Sequence, residues 1–347
     1  MSALSIAQLD NGLELSYLDS WASLEPSARP GRHTTLVCLH GVGFNSAIWQ
    51  PLLPSLTPSI RLLAYNQRSY ADSSPAFPIR ENGGVDAAAA YLVDLMRFLD
   101  FAVRELGIKE KEEGGVVLMG WSKGCVLPLS LLAAISQPAA AAPAEESFLT
   151  HLPPSGLPYA SLLDSHIRSL LLFEPPGSAF GRAPTVDYTG AMAAVSPPNI
   201  ATPEHFAEAF AGWIGGYSAP SKPGEPAVTE LPPSGLAALS PELLREAWEP
   251  QAVAHGFAWR MAASPAVVSS LALSTLRNPA LPVGLVYGGR TVGYCLDTAA
   301  LLSELWREEV GRGRKGIRKV EGTNHFAFVH KPVDFVDAVV ELIDELK

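Results

Sequence analysis

The pentapeptide Gly120-Trp121-Ser122-Lys123-Gly124 is the stretch best fitted to covalent chemistry. The apolar run Val116–Met119 precedes it and a helix-like run, Cys125–Ile135, follows it. A serine between glycines in that context reads as strand, sharp turn and helix. The serine backbone in such a turn is strained, and a β-carbon at either flank would collide with neighbouring backbone. The turn lifts the Ser122 hydroxyl above a sheet edge. It also aims the Lys123 amide, at a helix start, toward a developing oxyanion. The pattern alone would equally describe a plain strand–helix turn; the flanking elements favour a nucleophile. A second loop, His40-Gly41-Val42-Gly43, directly follows the apolar run Leu36–Leu39. Its backbone can supply a second oxyanion donor, Val42 first and Gly43 next.

These loops need a rigid frame. Residues 3–19 read as a hairpin turning at Asp10-Asn11-Gly12. Leu36–Leu39, Leu62–Tyr65, Val116–Met119, Leu170–Phe173, Leu281–Tyr287 and Ile317–Val320 read as buried strands. Helical spacing covers Val85–Leu106, Cys125–Ile135, roughly Asp297–Glu309, and Pro332–Leu346. Strands alternating with helices predict an α/β fold with a mostly parallel central sheet covered on both faces. Residues 137–165, rich in Ala, Pro and Ser, read as a surface excursion. Residues 178–278 hold helical patterns at Pro203–Trp213, Pro241–Trp248 and Ala252–Ala263 but no strong strand. They are expected to form a helical cap inserted between a core made of 1–177 and 279–347.

With the HG loop, Tyr65-Asn66-Gln67-Arg68-Ser69-Tyr70, the 120–124 turn and Gly322-Thr323-Asn324-His325, the chain resembles the α/β-hydrolase superfamily over nearly its whole length. The resemblance implies an α/β-hydrolase fold and His325 as general base. The chemical need is independent of it, because a serine hydroxyl is barely nucleophilic near neutral pH without an imidazole to take its proton. His330, five residues on, is the fallback.

Most members of that superfamily carry an aspartate in a G-x-x-D turn after the next-to-last strand. Here the turn is Gly288-Gly289-Arg290-Thr291, and threonine carries no charge. A relocated acid is available at Glu174, which ends Leu170–Phe173 and precedes Pro175-Pro176-Gly177. In a parallel sheet that strand neighbours the Ser122 strand, and the prolines stiffen its end. Asp297 is the competing acid. Zearalenone lactonases and some bacterial and fungal α/β-hydrolases carry a glutamate at this place. HGVGFNSAIW, NQRSYADSSP, GWSKG and LLLFEPPG together are most similar to fungal hydrolases, from many of which this chain departs at Lys123. A lysine there opposes the helix dipole and calls for a compensating partner or a substrate anion; the first is the favoured reading.

The remaining signals are weaker. The chain has 347 residues, 48% of them hydrophobic, enough to build a large core. Its net charge of -10 argues against nucleic acid as a partner. No apolar run is long enough to span a bilayer, and the N-terminus lacks the look of a signal peptide. Cys38, Cys125 and Cys295 show no metal spacing and fit free thiols in a reducing, cytoplasmic setting. No cofactor or metal is expected. Arg312-Gly313-Arg314-Lys315 reads as a solvated loop. Phe206, Phe210, Trp213, Trp248, Phe257 and Trp259 fall in the expected cap; Trp213 and Trp259, with Gly43, Phe44 and Trp121, are the expected substrate contacts. Trp49 is a further candidate for that lining. The reading is a serine hydrolase acting on a bulky apolar ester or lactone, with a homodimer compatible with it. The rivals are a C–C bond hydrolase or lyase on the same scaffold, and a non-catalytic ligand-binding homologue.

Overall fold

The computed structural model describes residues 4–76, 84–136, 164–182, 202, 204–205, 207–210, 239–253 and 265–346. Its strands are β1 (Ser5–Gln8), β2 (Glu14–Asp19), β3 (Thr34–Leu39), β4 (Ile60–Tyr65), β5 (Val116–Trp121), β6 (Ile167–Phe173), β7 (Val283–Gly288) and β8 (Lys315–Val320). They form one sheet in the order β1-β2-β4-β3-β5-β6-β7-β8. The β1–β2 and β2–β4 pairs are antiparallel and the rest parallel. The helices are α1 (Gly84–Arg104), α2 (Val126–Ser136), α3 (Pro241–Ala247), α4 (Pro265–Arg277), α5 (Gly293–Leu305), α6 (Ala327–His330) and α7 (Pro332–Glu345). Among the described residues no helix is long and apolar enough to cross a membrane.

The carboxyl halves of the central strands β3, β5 and β6 are apolar because both faces are covered there. Along β3, Leu36 and Cys38 face one core layer while Val37 and Leu39 face the other; β5 repeats this with Val117 and Met119 against Val116 and Leu118. Leu99 of α1, Leu129 of α2 and Leu276 of α4 fill one layer. Phe335, Val339 and Leu342 of α7, with Trp49 from the 3-10 segment Ser46–Ser55, fill the other. A buried ion pair ties β2 to β4: Arg61 Nη2 donates to Asp19 Oδ2 at 2.7 Å. Arg318, next to the basic run, pairs with Glu341 and Glu345 of α7 at 2.8 and 2.7 Å.

Three elements differ from the sequence expectation. Lys315, read as part of a solvated loop, is the buried first residue of β8, and its Nζ donates to Leu281 O at 3.0 Å. Helix α5 starts at Gly293, four residues ahead of the predicted Asp297, and ends at Leu305. Its buried positions Cys295, Thr298, Ala299 and Leu302 set the true face, whereas the sequence offered no capping side chain to mark the start. Helix α4, inside the stretch expected as cap, packs on α2, where Thr275 Oγ1 donates to Leu129 O at 2.8 Å. The excursion at 137–165 and most of 178–278 lie outside the described residues.

Register aligns the carboxyl ends. Leu39 is level with Gly120, Trp121 with Phe173, Phe173 with Val286, and Gly288 with Val320. The residues that follow β3, β5, β6, β7 and β8 therefore emerge together on one edge, where open parallel sheets form their sites.

Candidate active site

Ser122 is half-buried, with φ +55°. A non-glycine residue held in this left-handed region stores on the order of 1–3 kcal/mol of strain. Both flanking glycines are required by close approach. A β-carbon on Gly120 would lie 2.5 Å from Cys125 Cα, and one on Gly124 would lie 2.5 Å from His40 O. The turn then enters the 3-10 segment Ser122–Cys125 and α2. Lys123 is half-buried on that segment.

The HG loop lies against this turn. A β-carbon on Gly41 would meet Ser122 Cβ at 3.4 Å. His40 holds the loop: Nδ1 is 2.9 Å from Gly41 O, and Nε2 accepts from the Gln67 amide at 3.2 Å. That pairing fixes a neutral ring with its proton on Nδ1, and burial pushes the His40 pKa down to about 4. The unfolded chain protonates this histidine near pH 6.5, so His40 stability is complete above that value and is lost as pH falls toward about 4. The loss is at most about 3 kcal/mol. Urea midpoints measured across that window should therefore fall more steeply in the wild type than in His40→Gln; parallel slopes would rule this out.

Of the two loop amides considered, Gly43 donates to Tyr70 Oη at 3.1 Å, which leaves Val42 as the candidate donor. Gly43 is also covered: a β-carbon there would be 2.6 Å from the Trp248 ring and 3.3 Å from Phe210. Phe44 and Trp121, each 1% exposed, are packed in an aromatic cluster with Trp248, Phe326 and Trp49. Segment 239–253 clamps this loop. Asn45 N donates to Ala247 O at 2.9 Å, Glu249 N donates to Gly43 O at 2.7 Å, and Glu249 accepts from the Ala71 amide at 2.8 Å. Trp213, Trp259, Phe206 and Phe257 lie outside the described residues.

Glu174 follows β6 and is fully buried with φ +52°. Its amide donates to Val286 O at 3.1 Å, continuing the ladder to β7. Since Trp121 and Phe173 are level, Ser122 and Glu174 leave their strands in step, both in the left-handed region. The Glu174 carboxylate turns into the β7 loop. Oε1 accepts from the Gly288 amide at 2.5 Å and Oε2 from Thr291 Oγ1 at 2.5 Å. Oε2 also lies 3.3 Å from His325 Nδ1. Thr291 thus stands where an acid was expected and holds an acid supplied by the neighbouring strand. Asp297 sits on the second turn of α5, half-buried.

His325 is 3% exposed in the loop between β8 and α6. The Trp121 indole donates to His325 O at 3.1 Å, so the residue before the serine anchors the histidine. The Arg290 amide donates to Thr323 O at 2.8 Å, lacing the β7 and β8 loops together. Cys295, not singled out by the sequence beyond its thiol, lies beneath: Sγ donates to Glu174 O at 3.3 Å and is 3.8 Å from His325 Nδ1. All three cysteines are free and buried. His330, the fallback, ends α6 and is half-buried, which lowers its pKa.

The alpha/beta hydrolase family pattern matches residues 36–338, and the chain belongs to that family. No curated protein matches. Among solved structures the fold is similar to an esterase from Rhodococcus sp. (TM-score 0.55, 20% identity, 100% of both chains). It is also similar to a haloalkane dehalogenase loop variant from Bradyrhizobium elkanii (TM-score 0.59, 15% identity, 100% of this chain and 97% of that one). A third likeness is to an epoxide hydrolase (TM-score 0.56, 14% identity, 100% of both chains). At these identities the likeness is one of fold.

Proposed function

We propose that this hydrolase cleaves an ester or lactone of a bulky apolar substrate, using Ser122, His325 and Glu174. The observation that carries the reading is the contact between a fully buried carboxylate and His325 Nδ1, at the edge where the strained serine emerges. A carboxylate at Nδ1 favours the tautomer with its proton there and leaves Nε2 to accept the serine proton. Ser122 Oγ then attacks the carbonyl carbon. The amides of Val42 and Lys123 meet the oxyanion. As the tetrahedral adduct collapses, the leaving alkoxide takes the proton from His325. Water, deprotonated by the same imidazole, releases the acyl group as the acid. Glu174 stabilises the imidazolium.

A preference for bulky apolar substrates is supported by Trp248 and Phe210 over the oxyanion loop, in the part of 178–278 ahead of α4, which we assign to a cap. The test is a fluorophosphonate probe together with a panel of aryl esters and macrolactones. The expected result is one label per chain, mapped to the Ser122 peptide, and turnover blocked in step with labelling. Turnover that survives complete labelling, or a label elsewhere, would sink the reading and favour non-serine chemistry on this scaffold.

A further inference from the structure

Cys295, Glu174 and His325 bring a sulfur, a carboxylate oxygen and an imidazole nitrogen within 4.8 Å of one another, all buried. His325 Nδ1 is 3.3 Å from Glu174 Oε2 and 3.8 Å from Cys295 Sγ. A tetrahedral zinc ion bound at ordinary lengths separates such donors by about 3.3 to 3.6 Å. The two separations from His325 Nδ1 meet that geometry with shifts of a few tenths of an ångström, and the third pair, sulfur and carboxylate oxygen, lies within 4.8 Å. One soft, one borderline and one hard donor suit zinc and exclude the all-oxygen preference of magnesium and calcium. Charge also balances: the carboxylate and a thiolate neutralise a dication in a site that water does not screen. The donors come from three separate elements, the end of β6, the first turn of α5 and the loop after β8, each fixed by hydrogen bonds of its own.

We propose that this cluster is an inhibitory site for zinc or a similar thiophilic divalent cation. The inhibition, though not the binding, rests on His325 being the general base. The ion bonds to Nδ1, Oε2 and Sγ and leaves a fourth position for water. The Nδ1 proton is lost and Nε2 gains one, so the imidazole stays neutral; the thiol proton goes to solvent. No electrons are transferred. With Nε2 protonated, the ring has no lone pair to accept the serine proton. Metal binding and acyl transfer exclude each other.

Cobalt(II) alone, titrated into the full chain, tests the site without reference to activity. The expected result is a thiolate-to-cobalt band in the near ultraviolet that saturates at one equivalent and is lost in both Cys295→Ser and Cys295→Ala. Using two variants guards against one of them folding poorly. In parallel, low-micromolar zinc should lower wild-type ester turnover about tenfold or more, reversibly with EDTA. Each Cys295 variant, compared with its own zinc-free rate, should lose less than about twofold. No near-ultraviolet band in the wild type, or a band that persists in both variants, overturns the site. Equal zinc sensitivity in wild type and variants overturns the inhibition. If the chain cleaves none of the esters, the cobalt band still decides the binding. If esters are cleaved and no band forms, the metal site fails while the hydrolase reading stands.

Discussion

Glu174→Gln is expected to lower kcat by about 10³- to 10⁴-fold with little change in KM. The amide oxygen of glutamine can still accept from the Gly288 amide, so the loop should keep its shape. What changes is the side facing His325. The glutamine NH₂ would donate to Nδ1 and drive the imidazole proton to Nε2, the wrong tautomer for a general base. The imidazolium of the transition state would also lose its countercharge. Ser122→Ala, which removes the nucleophile, sets the floor for the comparison. Asp297→Asn should leave the rate nearly unchanged, because Glu174 is the carboxylate found against His325 Nδ1. The roles would have to be reassigned if Asp297→Asn lost activity and Glu174→Gln kept it.

The Thr291 contact gives this prediction a second half. Thr291 Oγ1 is 2.5 Å from the carboxylate oxygen that faces His325, so a side chain at 291 already points into the acid's place. Thr291→Asp in the Glu174→Gln background should recover part of kcat. The same substitution in the wild type should instead lower stability, since two buried carboxylates in one pocket cannot both ionise without strong repulsion. Steady-state kinetics on the four proteins decide it. No recovery in the double variant would mean that the β6 end alone can support the histidine.

Much of the frame is legible in the sequence because burial on two faces leaves short apolar runs; Leu36–Leu39 of β3, Val116–Met119 of β5 and Leu170–Phe173 of β6 are of this kind. Glu174 is legible for a related reason: a charge that ends such a run, followed by two prolines, has to sit at a strand's carboxyl end. The partners are less visible. Thr291 reads as the loss of an acid, because a motif names what occupies a position and not what that residue holds. The Gly43 amide reads as a free donor, while its acceptor is a tyrosine 27 residues further on. Cys295 reads as an ordinary thiol until the fold sets α5 against the end of β6. Helix α4 has a clear apolar face, but periodicity cannot tell whether that face meets a cap or α2. Each of these depends on pairing between distant segments, which local pattern does not encode.

Gly124→Ala should destabilise the fold by about 3 kcal/mol or more, near the upper end of the range for an overpacked core. The backbone there is not left-handed, so the effect is not torsional. It is steric: the new methyl would lie 2.5 Å from His40 O and 2.7 Å from Leu39 O. Both atoms are main chain: Leu39 ends β3 in a ladder paired on both sides and His40 follows it directly, so neither can swing aside as a side chain would. Relief requires the serine turn and the HG loop to separate. That same separation would widen the contact between Gly41 and Ser122, so the surviving folded fraction should lose kcat as well. Gly177→Ala is the matched control, because a β-carbon there meets nothing closer than 3.6 Å. Chemical denaturation should therefore give a large midpoint shift for Gly124→Ala and almost none for Gly177→Ala. If Gly124→Ala kept wild-type stability, the approach of the serine turn to the end of β3 would have to be looser than 2.5 Å allows, and the oxyanion geometry built on it would need another source.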